Sequence, residues 1–191
     1  MLNQDTISKI YDFEKSEGYP KDSLLNVMIF ETAGTLLPSI QNKYTSATGL
    51  IQFMPSTAIS LGTTITALKG MSVNEQLIYV RKYLIPYRAK LLATKDPLDF
   101  YLAILYPALM GKDDSALMAS DRNTAIYKQN SGLDFNKDGK ISKGDIRNYF
   151  ANQVASVRLK NDLPDSTTAI LNKKFPLAAV AIIAALLLIF S

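Results

Sequence analysis

Glu31 is a lone carboxylate at the end of an otherwise largely apolar run, residues 24–31. The run predicts a helix in which Val27 and Met28 share a face with Glu31, so its carboxyl lies at the end of a buried stripe. Burying a charged carboxylate without a partner is unfavourable, so the pKa of Glu31 is expected to rise toward neutrality. A carboxyl that is protonated near neutral pH is what a general acid requires. The alternative is a glutamate that caps the helix end or forms a salt bridge there, and the position alone favours neither interpretation.

A second pattern is the stretch Gly-Leu-Ile-Gln-Phe-Met-Pro-Ser-Thr-Ala at residues 49–58. It predicts a loop that passes into a short helix, with Gly49 allowing an unusual backbone conformation and Ser56 or Thr57 available as a cap. Gln52 is a polar side chain within an apolar stretch, which suits it to hydrogen-bond a partner. The alternative is a purely structural turn.

Glu31-Thr32 followed by the stretch at residues 49–58 resembles the signature of the lytic transglycosylases, over roughly residues 1–160. The family pattern usually has serine after the glutamate, and Thr32 keeps the hydroxyl. The resemblance implies a lysozyme-like fold, peptidoglycan glycan strands as substrate and Glu31 as the catalytic residue. The implied substrate-binding residues are Gln52, Thr32, Tyr106, Phe53 and Met54.

A third family block, usually Ala-Tyr-Asn-Ala-Gly, has its counterpart in Leu105-Tyr106-Pro107-Ala108-Leu109-Met110-Gly111. Tyr106 takes the aromatic position that helps to hold the sugar and the acid. Pro107 replaces the asparagine, so any role of that amide is lost here. The alternative is that Tyr106 belongs only to the core.

The resemblance also implies a mechanism with one carboxyl, in which Glu31 protonates the oxygen between N-acetylmuramic acid and N-acetylglucosamine and then acts as base on the muramic C6 hydroxyl. A 1,6-anhydro ring closes and no water is consumed. Glycosidases usually employ two carboxylates, but Asp99, Asp113 and Asp114 lack an apolar setting like that of Glu31. Two rivals remain: a goose-type lysozyme that hydrolyses the same bond, and a catalytically inert structural virion protein.

Composition removes several other classes of wall-degrading enzyme. The chain has no His and no Cys, which argues against zinc amidases, cysteine peptidases and a Ser-His-Asp triad. The net charge of +4 and the pI near 9.1 suit anionic walls or lipid head groups, or simply solubility. Nucleic acid is not a predicted partner, because no basic cluster interleaved with aromatic residues is present.

Residues 134–145 fit the pattern of an EF-hand loop, which predicts a structural Ca²⁺ ion and no cofactor for catalysis. Gly139 stands where the loop turns sharply, and an aspartate takes the last position, where glutamate is usual. The alternative is a solvated loop of Asx turns without metal. The predicted ligands are Asp134, Asn136, Asp138, Lys140 through its carbonyl, Ser142 and Asp145.

The predicted fold is mostly α: a lysozyme-like helical domain with a single EF-hand-like loop and a C-terminal transmembrane helix. An opening helix ends near Gly18, and Asp22 or Ser23 starts the Glu31 helix, which Gly34 ends. The capping box Ser72-Val73-Asn74-Glu75 predicts one long helix to about Leu92. Asp96-Pro97 predicts another that Pro107 kinks or ends.

The chain is divided into a domain at residues 1–160, a linker at 161–174 and a membrane anchor at 175–191. The anchor segment is apolar and uncharged, and its seventeen residues span about 25 Å as a helix, at the short end of the membrane-spanning range. The alternative is an apolar helix docked on the domain or on a partner.

Lys173 and Lys174 before this segment, and the polar start Met1–Asp5, predict a cytoplasmic domain without a secretory signal. Peptidoglycan is absent there, so the hypothesis is a membrane-anchored enzyme of a phage virion with an internal membrane, placed in the host membrane during assembly. The lipid membrane, and the capsid vertex or other virion proteins, are further partners under this hypothesis.

Overall fold

A computed structural model describes residues 2–164 and residue 170, and the described part of the chain is mostly helical, as expected. Besides its helices, the described part of the chain contains three short 3₁₀ turns and two short strands. The strands are β1 (Leu117–Ala119) and β2 (Ile141–Ser142). The helices are α1 (Gln4–Glu17), α2 (Ser23–Glu31), α3 (Pro55–Ser60), α4 (Ile65–Gly70), α5 (Val73–Leu84), α6 (Arg88–Thr94), α7 (Pro97–Leu105), α8 (Ala125–Asn130) and α9 (Lys143–Lys160).

The helix α2 lies in the centre of the domain, because the residues from Ser23 to Ile29 are all buried. It packs against α1, α7 and α9. A helix that is apolar on all sides needs such neighbours around it. The helix ends at Glu31, and the backbone N–H of Gly34, in a left-handed conformation, donates to the carbonyl of Ile29 as expected.

The cap at the start of α2 differs from the prediction. Asp22 takes the N-cap position, but its side chain makes no capping hydrogen bond. The buried carboxylate of Glu14 on α1 does so instead, accepting from the backbone N–H groups of Leu24 at 2.6 Å and Leu25 at 2.9 Å. An acid from a neighbouring helix therefore replaces the local cap, which no local pattern predicts.

The predicted helix from Val73 to about Leu92 is wrong in its length. The Ser72–Glu75 capping box is present as expected, but α5 ends at Leu84 and a 3₁₀ turn at Ile85–Tyr87 precedes α6. Pro86 is the reason, because proline lacks the N–H that an α-helix needs and its ring clashes with the preceding turn. Asp96 and Pro97 start α7 as expected, and α7 ends at Leu105 before Pro107.

The strands β1 and β2 pair in antiparallel fashion, with Leu117 opposite Ser142 and Ala119 opposite Ile141. Strand β1 precedes α8 and strand β2 directly precedes α9, so their pairing brings the chain before α8 next to the start of α9. The segment at residues 134–145 is thereby held between α8 and α9 in a helix–loop–helix arrangement.

The transmembrane part of the predicted fold, and the membrane-anchored location, are corrected. Within residues 2–164 and 170, no helix is both long enough and apolar enough to cross a membrane. The longest, α9, carries charged residues along its length, which are costly in a bilayer. The segment at 175–191, which was predicted to be the anchor, lies outside the described residues. The location in a virion with an internal membrane depended on that anchor and is not proposed further.

Candidate active site

Glu31 is the last residue of α2, and its side chain is mostly buried. Burial raises the pKa of the Glu31 carboxyl to about 7. No hydrogen bond or ion pair to Glu31 occurs within the part of the chain that the structure describes, so nothing there offsets the loss of hydration. The carboxyl therefore keeps its proton to a higher pH than an exposed glutamate does, as a general acid needs to.

Aromatic rings from three helices pack beside this acid. Phe30, the residue before Glu31, has its ring centroid 4.8 Å from that of Tyr101 on α7 and 5.3 Å from that of Phe150 on α9. Tyr101 and Phe150 stack on each other with centroids 4.7 Å apart. Burial raises the pKa of Tyr101, and the negative charge of Glu31 contributes to the same shift. We call Phe30, Tyr101 and Phe150 the aromatic wall.

Tyr83 on α5 contacts the segment at residues 49–58 and lies close enough to Glu31 for the charge of Glu31 to act on it. Its hydroxyl donates to the carbonyl of Ala103 at 3.1 Å, and its ring lies edge-on to Phe53 with centroids 6.3 Å apart. Burial raises the pKa of Tyr83 to about 12, and the charges of Tyr87 and Glu31 add to the shift. Tyr83 is thus the common neighbour of the predicted acid and the predicted binding loop.

The loop around Gly49 is fixed by a buried amide that the sequence does not reveal. Gln76 is fully buried; its Nε2 donates to the carbonyls of Pro38 and Leu68, and its Oε1 accepts from the backbone N–H of Leu50. Gly49 has φ +87°, and a Cβ there would lie 2.4 Å from Oε1 of Gln76. Only glycine fits both the left-handed backbone and the close approach of the amide.

Gln52 holds a left-handed conformation with φ +51° at the tip of this loop. Its Nε2 donates to the carbonyl of Gly49 at 3.0 Å, while its Oε1 has no hydrogen-bond partner within residues 2–164. Phe53 is buried and closes the loop through backbone bonds with Thr48, whereas Met54 is 45% exposed at the start of α3. Gln52 and Met54 are therefore the open positions of the loop, and Phe53 supports it.

Thr32 faces inward. Its side chain is fully buried, its hydroxyl donates to the carbonyl of Met28 at 2.6 Å, and the same oxygen accepts from the N–H of Leu36 at 3.0 Å. These bonds shape the turn after α2. The hydroxyl consequently orients the end of the helix that carries Glu31.

Tyr106 lies half-buried directly after α7, with the 3₁₀ turn Pro107–Leu109 behind it, and packs against the core. Its backbone N–H donates to the carbonyl of Leu102. The tyrosine of α7 whose pKa the charge of Glu31 raises is Tyr101, five residues earlier in the chain. The sequence analysis named neither Tyr101 nor Tyr83 as a site residue, because aromatic residues at helical spacing give no signal that separates a core ring from an active-site ring.

The other acids considered as second carboxylates are engaged elsewhere. Asp99 is buried against Lys143 and accepts from the N–H of Gly111, and Asp114 pairs with Arg147. Asp113 is exposed in a loop. Burial raises the pKa of Glu31, and no charge of another described acid contributes to the shift. Of the four acids considered, Glu31 is therefore the candidate for chemistry at this site.

The predicted metal loop forms a compact turn between α8 and α9. The hydroxyl of Tyr127 and the N–H of Gly139 both donate to Oδ2 of Asp134, at 2.7 and 3.0 Å. Ser142 is the N-cap of α9, and the side chain of Asp145 accepts from the backbone N–H of Ser142 in a capping box. The N–H of Asn136 also donates to Asp145, which joins the two ends of the loop. Within the described residues, no group of three or more Asp, Glu, His or Cys side chains is already gathered tightly enough to hold a metal ion.

Two surface cavities lie away from Glu31. One, of about 370 Å³, opens between α1 and α5 beside Phe13 and Arg81, and the other, of about 350 Å³, lies along α1 beside Tyr11 and Tyr19. Neither includes a predicted site residue. The candidate acid Glu31 therefore lies outside both cavities.

Comparison with known proteins adds no relative: no protein-family model, no curated protein and no solved structure matches this chain.

Proposed function

We propose that this chain is a peptidoglycan lytic transglycosylase that cleaves the β-1,4 bond between N-acetylmuramic acid and N-acetylglucosamine. The observation that carries the proposal is the environment of Glu31, a desolvated carboxyl with a pKa raised to about 7 and no hydrogen-bond or ionic partner in the described part of the chain. The family resemblance of residues 31–32 and 49–58 supplies the substrate class.

In the proposed reaction, the protonated Glu31 carboxyl gives its proton to the glycosidic oxygen as the bond from that oxygen to the muramic C1 breaks. The Glu31 carboxylate then accepts the proton of the muramic C6 hydroxyl, and O6 bonds to C1. The product ends in a 1,6-anhydro ring, the acid is restored, and no water is consumed.

The absence of a second carboxylate partner for Glu31 among residues 2–164 supports this reaction over hydrolysis by a pair of acids. Inverting and retaining glycosidases place two carboxyls about 5–10 Å apart across the scissile bond. Here Asp99 and Asp114 are held by Lys143 and Arg147. A nucleophile that the substrate itself provides removes the need for the second group.

The loop at residues 49–58, which contacts Tyr83, is the proposed binding site for the sugar. Oε1 of Gln52 has acceptor capacity that no described residue uses, and Met54 is exposed next to it. An acceptor of this kind suits the hydroxyl and N-acetyl N–H groups of an amino sugar. Tyr83, whose pKa the charge of Glu31 raises, contacts Phe53 of this loop edge-on.

The decisive experiment compares the muropeptides released from purified peptidoglycan by wild type, Glu31→Gln and the matched control Glu75→Gln. Glu75 is an exposed capping residue of α5, and glutamine preserves a capping box. We expect wild type and Glu75→Gln to release anhydro-muramic ends, which are one water lighter than reducing ends. Glu31→Gln should lose at least about 100-fold in rate.

Each rival predicts a different outcome of this comparison. Reducing ends that depend on Glu31 identify a goose-type hydrolase. Digestion that survives in Glu31→Gln overturns Glu31 as the acid. No digestion by folded wild type overturns the enzyme and leaves an inert lysozyme-like binding or structural protein.

A further inference from the structure

Asp134 carries a buried carboxylate oxygen that no described residue satisfies. The side chain is 1% exposed, and Oδ1 has no access to solvent and makes no hydrogen bond of ordinary geometry within the described residues, although the backbone N–H groups of Lys137 and Asp138 lie near the carboxylate. Oδ2 accepts from the N–H of Gly139, so the carboxylate is directed across the loop that residues 134–145 form. A buried carboxylate oxygen left without a partner is costly, and a cation in the loop would remove that cost.

We propose that residues 134–145 bind one Ca²⁺ ion with Asp134 as its anchoring ligand. The donors that the loop offers are all oxygens, from carboxylates, an amide, a hydroxyl and a backbone carbonyl. Hard oxygen donors in this number suit Ca²⁺, which takes six to eight of them, better than transition metals. The further ligands are Asn136, Asp138, the carbonyl of Lys140, Ser142 and Asp145.

The loop must close on the ion, because its acids are not yet gathered around one point. Oδ2 of Asp145 now accepts from the N–H and hydroxyl of Ser142, and Oδ1 accepts from the N–H of Asn136 at 3.3 Å. Asp138 accepts from the N–H of Lys140. Carboxylate oxygens keep lone pairs beyond these bonds, so Asp145 can become a ligand if its carboxylate and that of Asp134 approach the same ion.

The charges around the loop set a modest affinity. Arg122 donates to the carbonyl of Lys137 at 2.9 Å and lies against Gly139, and Lys137 and Lys140 belong to the loop itself. These three cations oppose the three carboxylates, whereas the third lysine of the loop, Lys143, is paired with Asp96 and Asp99. We therefore expect a dissociation constant of about 10⁻⁵ to 10⁻³ M, on the weak side of EF-hand loops.

The same helix that begins at the loop reaches the candidate active site. Asp145 is in the first turn of α9, and Phe150, five residues on, stacks on Tyr101 in the aromatic wall beside Glu31. Lys143 and Arg147 fix the first turn of α9 to Asp96 at the start of α7. We infer that Ca²⁺, by fixing the start of α9, also positions the wall behind the acid; this part rests on the proposed function.

The binding test uses the full chain, freed of metal with a chelator and titrated with CaCl₂ and separately with MgCl₂ by calorimetry. We expect one Ca²⁺ per chain, weaker Mg²⁺ binding and a higher melting temperature in millimolar Ca²⁺. Asp134→Asn should weaken Ca²⁺ binding at least about tenfold, since one of the three carboxylate charges is lost. Asp121→Asn, an exposed acid outside the loop, should bind as wild type does.

The proposed site is overturned if calorimetry detects no heat of binding and the melting temperature does not change at 10⁻² M Ca²⁺. It is also overturned if Asp134→Asn binds Ca²⁺ as tightly as wild type does. Should Asp134→Asn fail to fold, Asp138→Asn takes its place, because Asp138 is exposed and its loss does not touch the core. Equal weakening by Asp121→Asn also overturns the site, since it would show a general charge effect.

The coupling test measures muropeptide release and the near-ultraviolet circular dichroism of the tyrosines with Ca²⁺ or chelator. We expect Ca²⁺ to raise the turnover of wild type several-fold and to change the aromatic signal, with both effects lost in Asp134→Asn. If Ca²⁺ binds but changes neither the turnover nor the aromatic signal, the coupling to the aromatic wall is overturned and the Ca²⁺ site itself stands. If wild type digests nothing under either condition, the proposed function fails, and the calorimetry and the aromatic signal still decide this inference.

Discussion

Glu14 and Glu31 lie at opposite ends of α2, and burial raises the pKa of both carboxyls to about 7. Their partners differ completely. Glu14 accepts from the backbone N–H groups of Asp22, Leu24 and Leu25, whereas no described residue hydrogen-bonds to Glu31. One acid therefore holds the helix start, while the other is free to exchange a proton with a ligand.

The first prediction concerns the stability of Glu31→Gln. The folded-state pKa of Glu31 is raised, so the native state binds more protons than the unfolded state between about pH 4.3 and 7, and stability falls as pH rises through that window. Glutamine removes the ionisation. We expect Glu31→Gln to be about 1–3 kcal/mol more stable than wild type at pH 8 and close to wild type at pH 4.5. Urea unfolding at both pH values measures this, and an equal difference at both would contradict the assigned cause.

The second prediction is that the same substitution at Glu14 gains less stability at pH 8. Burial raises the pKa of Glu14 as well, so glutamine also removes an unfavourable ionisation there. A glutamine oxygen can accept from Leu24 and Leu25, but its NH₂ group then faces the N–H of Asp22 as a second donor, and leaving a buried donor unsatisfied costs about 1–3 kcal/mol. Glu14→Gln should therefore be less stable than Glu31→Gln at pH 8 by about that amount, with Glu14→Ala worse. Measured in one urea series, an equal gain for both glutamine variants would refute the capping role.

The third prediction links activity to pH. Because Glu31 must be protonated to act as an acid, and its pKa is raised to about 7, kcat/KM should be level below pH 6 and fall about tenfold per unit above pH 8. Release of soluble fragments from peptidoglycan between pH 5 and 9 gives the profile, with circular dichroism at each pH as the control for folding. A profile that is flat across this range excludes Glu31 as the acid.

The fourth prediction uses two glycines of similar backbone and different surroundings. Gly49 (φ +87°) has Oε1 of Gln76 2.4 Å from where a Cβ would lie, whereas Gly62 (φ +79°) has nothing within 4 Å. Gly62→Ala should cost about 1–2 kcal/mol from backbone strain alone. Gly49→Ala should cost about 3 kcal/mol or more and displace Gln52, so activity falls as well. Thermal unfolding and muropeptide assays of the two variants test this prediction. Equal losses of stability would show that the side chain of Gln76 moves away from the added methyl group at no cost.

The sequence predicted what local chemistry controls. The Ser72–Glu75 box, the Asp96-Pro97 start and the raised pKa of Glu31 follow from residues within one or two helical turns. It did not predict the cap that Glu14 supplies to α2 or the Gln76 amide that holds the Gly49 loop, because these bonds join positions far apart in the chain. Tyr83 and Tyr101 were missed for a related reason, since their distance from Glu31 is set by how α2, α5 and α7 pack.

The ion pairs at the start of α9 give the last prediction. Lys143 is 2% exposed and donates to the fully buried Asp99 at 2.8 Å. Removing one member of a buried pair leaves the other charge uncompensated and costs about 3–5 kcal/mol, so Lys143→Met should destabilise by that amount and loosen the contact of α9 with α7. The matched control is Lys9→Met, which breaks the exposed pair with Asp5 on α1 and should cost under about 1 kcal/mol. Urea unfolding compares them, and a Lys143→Met loss no larger than that of Lys9→Met would mean that Asp99 is neutralised or hydrated without its lysine.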